Sequence, residues 1–280
     1  MDIPYNMTHP RRGYALVINM EKFHDDPKNE QKRIGSEIDV DVLEETFGKI
    51  DFTVRKLIDF TEIQLREAIT KYSQFDFSDD DCFVCIIMSH GRLGTICTAD
   101  NQEIPLDDLF TPFEKNKSLK GKPKLFFIQA CRGFIHPAAK FGLAQGISSF
   151  FQALKTSKQS SAQNPPFNKE PHEIDCLRVY ATSQGVTAIR DEKGSLFIQR
   201  LCDVLNRSGK TDSIQTIVAR VTKNVHEKEN EIKISETKSK ILKITCVSYQ
   251  TLTGSVLFHH TKFKTDIITL PTNFEHLELE

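Results

Sequence analysis

Short runs rich in branched and aromatic residues alternate with helical patterns through the first half of the chain. Residues 13–20, 52–58, 82–88 and 124–130 each read as a strand of ordinary length. Between them, 36–47 sets Ile38, Val42, Leu43 and Phe47 along one helical stripe, and 61–75 opens with Thr61 and Gln64 in a capping-box arrangement. Strand and helix in alternation predict an α/β fold, a mostly parallel sheet with helices on both faces. Such a sheet binds its ligands beyond the carboxyl ends of its strands.

The alternation stops after Gly133 and resumes with a strand pattern at 176–182. Within the gap, 155–171 is polar, with Ser, Gln, Asn and three prolines, and predicts a flexible connection. Helices follow at 195–205 and at 212–227, the second with Ile214, Ile217, Val218, Val221 and Val225 on one face, and then a strand pattern at 241–251. The last twenty residues carry no clear pattern, and no internal repeat is visible.

Composition narrows the function classes. The chain has 280 residues, of which 39% are apolar, enough for one large core or two small ones. A formal net charge of -1 gives no basic field for nucleic acid, and no run approaches the roughly 18 apolar residues of a membrane span. The start is polar at Asp2, Asn6 and Thr8, unlike a secretory signal, so a cytoplasmic location is expected. Seven irregularly spaced cysteines fit buried thiols in a reducing compartment better than a disulfide framework. Cys82 and Cys85 have the spacing of half a zinc site, but residues three apart on a strand face opposite sides, and neither metal nor cofactor is expected. Cys176, Cys202 and Cys246 sit in apolar segments and read as small core residues; His136, His259 and His260 show no ligand spacing.

Two segments carry candidate chemistry. Ile128-Gln129-Ala130-Cys131-Arg132-Gly133 closes one buried strand with a thiol, and forty-one residues earlier Ile86-Ile87-Met88-Ser89-His90-Gly91 closes another with an imidazole. Alone, a cysteine or histidine at a strand end is usually structural. Delivered to one rim by adjacent parallel strands, the two form a nucleophile and its proton-transfer partner.

These segments resemble the caspase family, whose Q-A-C-x-G signature is accompanied by an upstream histidine. The resemblance extends from Arg12-Gly13-Tyr14 through Arg33-Ile34-Gly35-Ser36-Glu37, Ser89-His90-Gly91 and Gly121-Lys122-Pro123-Lys124-Leu125 to Gly194-Ser195-Leu196-Phe197-Ile198. It implies one catalytic domain over 1–280, built as an α/β/α sandwich around a six-stranded, mostly parallel sheet. A large-subunit part covers about 1–140, an intersubunit linker 141–174 and a small-subunit part 175–280. It further implies a cysteine endopeptidase with Cys131 as nucleophile and His90 as acid–base partner. The backbone N–H groups of Gly91 and Cys131 would form the oxyanion hole, the glycine allowing close approach of the substrate. Arg33, Gln129 and Arg190 occupy the positions that select aspartate before the cut, a task suited to the guanidinium fork. Implied partners are protein substrates with aspartate at P1, a second copy or another caspase paired through the last strand, and inhibitor proteins. The implied setting is apoptosis or related signalling.

Three features depart from the family pattern. Around the substrate groove Val186, Thr187, Ile189 and Leu196 stand where effector caspases carry aromatics, and Asp191 puts a negative charge beside the P4 position. A neutral or apolar P4 is therefore expected. From Arg132 to Ile174 there is no Asp, so the usual activating cut after aspartate has no site; Glu170 and Glu173 are the acidic alternatives, and Asp175 abuts a strand. An adaptor-binding domain is not expected, since the first strand begins near residue 13. An active protease remains beside a second reading, a weakly active homologue that regulates other caspases by pairing. Arg132 reads equally as a catalytic residue or as a loop anchor against nearby carboxylates. Phe141, Ile147, Phe150, Phe151 and Leu154 read as an adaptable apolar loop, with cover for the dimer groove as the alternative.

Overall fold

The computed structural model describes residues 3–258 apart from 25, 27, 29, 134–173, 187, 229, 236, 237 and 243, with the backbone alone over 230–242. The linker, the apolar segment at 141–154, Thr187, His136, His259, His260 and the last twenty residues lie outside the described residues.

The chain runs through β1 (Tyr14–Asn19), α1 (Ser36–Lys49), β2 (Thr53–Ile58), α2 (Glu62–Ser73) and β3 (Phe83–Met88). A small three-stranded sheet follows, β4 (Gly91–Arg92), β5 (Thr95–Cys97) and β6 (Glu103–Pro105), and then α3 (Leu106–Glu114) and β7 (Lys124–Gln129). After the linker come β8 (Cys176–Tyr180), the short hairpin β9 (Arg190–Asp191) and β10 (Gly194–Ser195), α4 (Leu196–Ser208), α5 (Ile214–Glu227), the ribbon β11 (Asn230–Ser235) and β12 (Lys238–Leu242), and β13 (Val247–Gln250). The main sheet has six strands in the order β13-β8-β7-β3-β1-β2, parallel except for β13 against β8.

Every residue of β3 and β7 is buried, as central parallel strands covered on both faces must be. Their side chains divide between two cores. On one face Val84, Ile86, Leu125 and Phe127 pack with α1, α4 and α5; on the other Phe83, Cys85, Phe126 and Ile128 pack with α2 and α3. Cys82 belongs to the first core and Cys85 to the second, so the sheet separates them. In the second core the Phe83 ring stacks on Phe113 at 4.1 Å and Phe126 tilts against Phe110 at 4.7 Å. At the start of α2, Thr61 Oγ1 accepts from the Gln64 N–H at 3.3 Å and Gln64 Oε1 accepts from the Thr61 N–H at 2.9 Å, closing the capping box.

Two expectations are corrected. The buried side of α1 is Ser36, Asp39, Val40, Leu43, Thr46 and Phe47, while Ile38 is 40% exposed. A polar tether at Asp39, described below, turns the helix away from its best apolar stripe. The run at 241–251 is not one strand: β12 pairs with β11, Ile244 and Cys246 enter the first core, and β13 joins the main sheet on β8. The pattern along the chain did not single out α3, which forms despite Pro112 because burial of Leu106, Leu109, Phe110 and Phe113 outweighs the missing N–H.

Replacing Phe126 by Ala is expected to cost about 3–5 kcal/mol through the cavity it leaves. Replacing Thr61 by Ala removes one cap contact and is expected to cost about 1 kcal/mol. Urea denaturation of both variants checks the order; equal losses would mean that the second core contributes less than its ring packing implies.

Candidate active site

Parallel pairing of β3 with β7 sets Met88 opposite Gln129, and the Ser89 N–H donates to the Gln129 carbonyl at 3.3 Å. Each strand continues two residues further, to His90 and to Cys131, so the imidazole and the thiol leave the sheet at the same rim. The small sheet steadies the histidine: its carbonyl accepts from the Cys97 N–H at 2.9 Å, and Ser89 Oγ donates to the Cys97 carbonyl at 2.6 Å. Gly91 is required here by the hairpin, because a Cβ would lie 2.5 Å from the Thr95 carbonyl oxygen and 3.3 Å from Ala130 Cβ.

The imidazole packs on the Phe23 ring at 5.0 Å, and its Nε2–H donates to the Gln31 carbonyl at 2.7 Å. A carbonyl can only accept, so Nδ1 is left as the lone-pair nitrogen. Burial, followed by the Arg33 charge, pulls the His90 pKa down to about 4, and the ring is neutral at physiological pH. Burial raises the Cys131 thiol pKa, opposed by the Ala188 N–H, Arg190 and Arg33. The resting pair is therefore a thiol beside a neutral imidazole, and neither hydrogen-bonds to the other among the described residues.

Arg33 is almost wholly buried. Its Nη1 donates to Asn19 Oδ1 at 2.7 Å and to the Met20 carbonyl at 3.0 Å, whereas Nε and Nη2 have no partner among the described residues. Gln129 is likewise buried with Oε1 unpartnered. Arg190 Nε donates to the Ile34 carbonyl at 2.8 Å, which holds the second guanidinium next to the first. Burial, then repulsion by Arg190, lowers the Arg33 pKa to about 9, while Asp39 and Cys131 oppose the fall. Two cations, unpartnered buried donors and a half-buried thiol thus adjoin one another. An unmade hydrogen bond at a buried group costs about 1–3 kcal/mol, so this corner is built to receive an anion.

The remaining candidates are spread around this corner. Ile189 is half-buried against the first core and its carbonyl accepts from the Leu196 N–H at 3.2 Å. Leu196 opens α4 and lies mostly within that core. Asp191 is exposed, its Oδ1 accepting from the Lys193 N–H at 2.8 Å. Arg132 anchors its loop without a carboxylate among the described residues: the guanidinium lies 4.1 Å over the Tyr180 ring, and Nη1 reaches the Thr182 carbonyl at 3.5 Å. Its backbone pairs with the segment after β8, accepting from the Gly185 N–H at 2.7 Å and donating to the Val186 carbonyl at 3.1 Å. Sequence reasoning missed Asn19 and Gln31, which hold the Arg33 and His90 side chains. Nothing in their local pattern singles out either one.

Comparison with known proteins agrees with this geometry. The sequence family described as Caspase domain matches residues 12–256. Over 263 residues the chain is 32% identical to Caspase-3 of Mus musculus, covering 93% of this chain and 88% of that protein. It is 33% identical to Caspase-8 of Rattus norvegicus over 239 residues, covering 82% of this chain and 48% of the relative, so it spans about half the length of that protein. The crystal structure of Caspase-1 from Spodoptera frugiperda superposes with a TM-score of 0.73 at 26% identity, covering 92% of this chain and 98% of that one.

Alkylation by iodoacetamide reads the state of the thiol. The other six cysteines are buried and burial raises their thiols, so the reagent reports the more accessible Cys131. Since only thiolate reacts, the rate constant is expected to climb with pH to beyond about 8.5 without a plateau. A plateau already reached near pH 6.5 would reveal a thiolate–imidazolium pair and contradict the neutral one.

Proposed function

Because this chain belongs to the caspase family, we propose that it is an active cysteine endopeptidase that cuts proteins after aspartate, in programmed cell death or a related signalling route. The observation that carries this reading is the pair of buried nitrogens on Arg33 that have no partner among the described residues, set beside Arg190 and the Cys131 thiol. A P1 carboxylate entering there supplies the missing acceptors and offsets the repulsion between the two guanidinium groups.

Binding that carboxylate sets the scissile carbonyl over Cys131. As Sγ bonds to the carbonyl carbon its proton passes to His90 Nδ1, and the oxyanion is held by the backbone N–H groups of Gly91 and Cys131. Collapse breaks the C–N bond, and His90 returns the proton to the leaving amine. Water then attacks the thioester with His90 as base, releasing the new carboxylate and restoring the thiol. A neutral imidazole is the form that can take the first proton, which agrees with its depressed pKa. Ala188 must yield its contact with the sulfur for the attack to proceed.

Two observations favour a second reading, a regulator that pairs with other caspases. The stretch from Arg132 to Ile174 lacks Asp, which removes the usual activating cut. In addition, β13 is an end strand of the main sheet, with Ser248 and Gln250 exposed, so a second chain has an edge to add to.

A peptide panel decides between them. Turnover is expected with Asp at P1, at least about 30-fold better than with Asn, from the roughly 2 kcal/mol or more lost when a buried charge pair is broken. It should vanish in Cys131→Ala. Equal cleavage of the two peptides would remove the pocket assignment; no cleavage, with stimulation of a partner caspase, would favour the regulator. In a positional library the exposed Asp191 should disfavour acidic P4, and strongest cleavage with P4 Asp would contradict that.

A further inference from the structure

The buried face of α1 contains a carboxylate. Asp39 has no solvent exposure, and both its oxygens lie 2.9 Å from the Ser195 N–H; Oδ2 also accepts from Ser195 Oγ at 2.5 Å and Oδ1 from Gln199 Nε2 at 2.8 Å. Fit is close, since a Cβ at Gly194, whose φ is +107°, would meet Asp39 Oδ1 at 2.4 Å. All the donors belong to the part of the chain after the linker, while Asp39 precedes it by most of a domain. Ser195 is also the register partner of Arg190 in the β9–β10 hairpin, and Asp39 lies in the first turn of α1, six residues after Arg33. The carboxylate therefore ties the segment that carries one arginine to the hairpin that carries the other, alongside the bond from Arg190 Nε to the Ile34 carbonyl.

Its charge acts in the same place. Asp39 opposes the burial-driven fall in pKa at both Arg33 and Arg190, so it serves as their standing counter-charge. A hydrocarbon at this position would leave two like charges facing each other in a poorly hydrated corner.

We propose that Asp39 is the positioning residue of the basic pocket: by gripping Ser195 and Gln199 it locks the Arg190 hairpin onto α1, so that Arg33 and Arg190 converge on one substrate carboxylate. This rests on the reading of those arginines as the P1 pocket. Because the grip joins the parts before and after the linker, it holds the pocket together whether or not the linker is cut.

Anisotropy titrations on the Cys131→Ala protein test it, using a labelled peptide with P1 Asp and its twin with P1 Asn. Asp39→Asn keeps the size but removes the charge, and is expected to raise Kd for the Asp peptide at least about tenfold while barely moving the Asn peptide. Ser195→Ala, a milder loss of one donor, should shift the same ratio by about threefold, which covers failure of the first variant to fold. In the protein with an intact thiol, the Asp39→Asn change should appear in KM, with kcat within about threefold, as expected of lost binding rather than lost chemistry. A general loss of structure would instead weaken both peptides alike and lower kcat, and would overturn the proposal. Arg190→Met separates the two claims. If it abolishes the Asp-over-Asn preference while Asp39→Asn and Ser195→Ala retain it, the pocket stands and the role of Asp39 falls. If Arg190→Met retains the preference, the pocket reading fails and the role of Asp39 falls with it.

Discussion

Two guanidinium groups held side by side in a poorly hydrated corner repel each other, and the architecture around Cys131 is organised by how that repulsion is contained. Arg33 is held from below by Asn19 and the Met20 carbonyl, Arg190 from the side by the Ile34 carbonyl, and Asp39 supplies a negative charge to both. These contacts come from β1, from the turn into α1, and from a hairpin on the far side of the linker. Among the described residues the remaining nitrogens of Arg33 have no acceptor. Stored electrostatic cost of this kind is released only by an anion of the right shape, which is how such a corner acquires selectivity.

The same charges set the resting state of His90 and Cys131. Positive neighbours and burial both disfavour a proton on His90, while burial keeps the Cys131 proton in place against the pull of the arginines.

The main sheet was legible in the chain because β1, β3 and β7 are long enough, apolar enough and punctuated clearly enough to be strands of a covered parallel sheet. That placement puts His90 and Cys131 on a common rim without reference to any relative. The candidates Arg33, Gln129 and Arg190 were not legible from periodicity and came only from resemblance. Asp39 went unnoticed because a carboxylate in the first turn of a helix ordinarily faces water and the helix dipole. Here its contacts to Ser195 and Gln199 override amphipathicity, turning Ile38 outward and Asp39 inward. Short elements fared worst: β4, β5 and β6 have two or three residues each and draw their stability from neighbours, and α3 hides behind Pro105 and Pro112.

A crystal structure with a peptide aldehyde carrying aspartate at P1 tests the arrangement most directly. The account predicts a bond from Cys131 Sγ to the aldehyde carbon, and the aspartate carboxylate within hydrogen-bonding distance of both Arg33 and Arg190. A covalent adduct whose carboxylate points to solvent, or an aldehyde that does not engage Cys131, would contradict it.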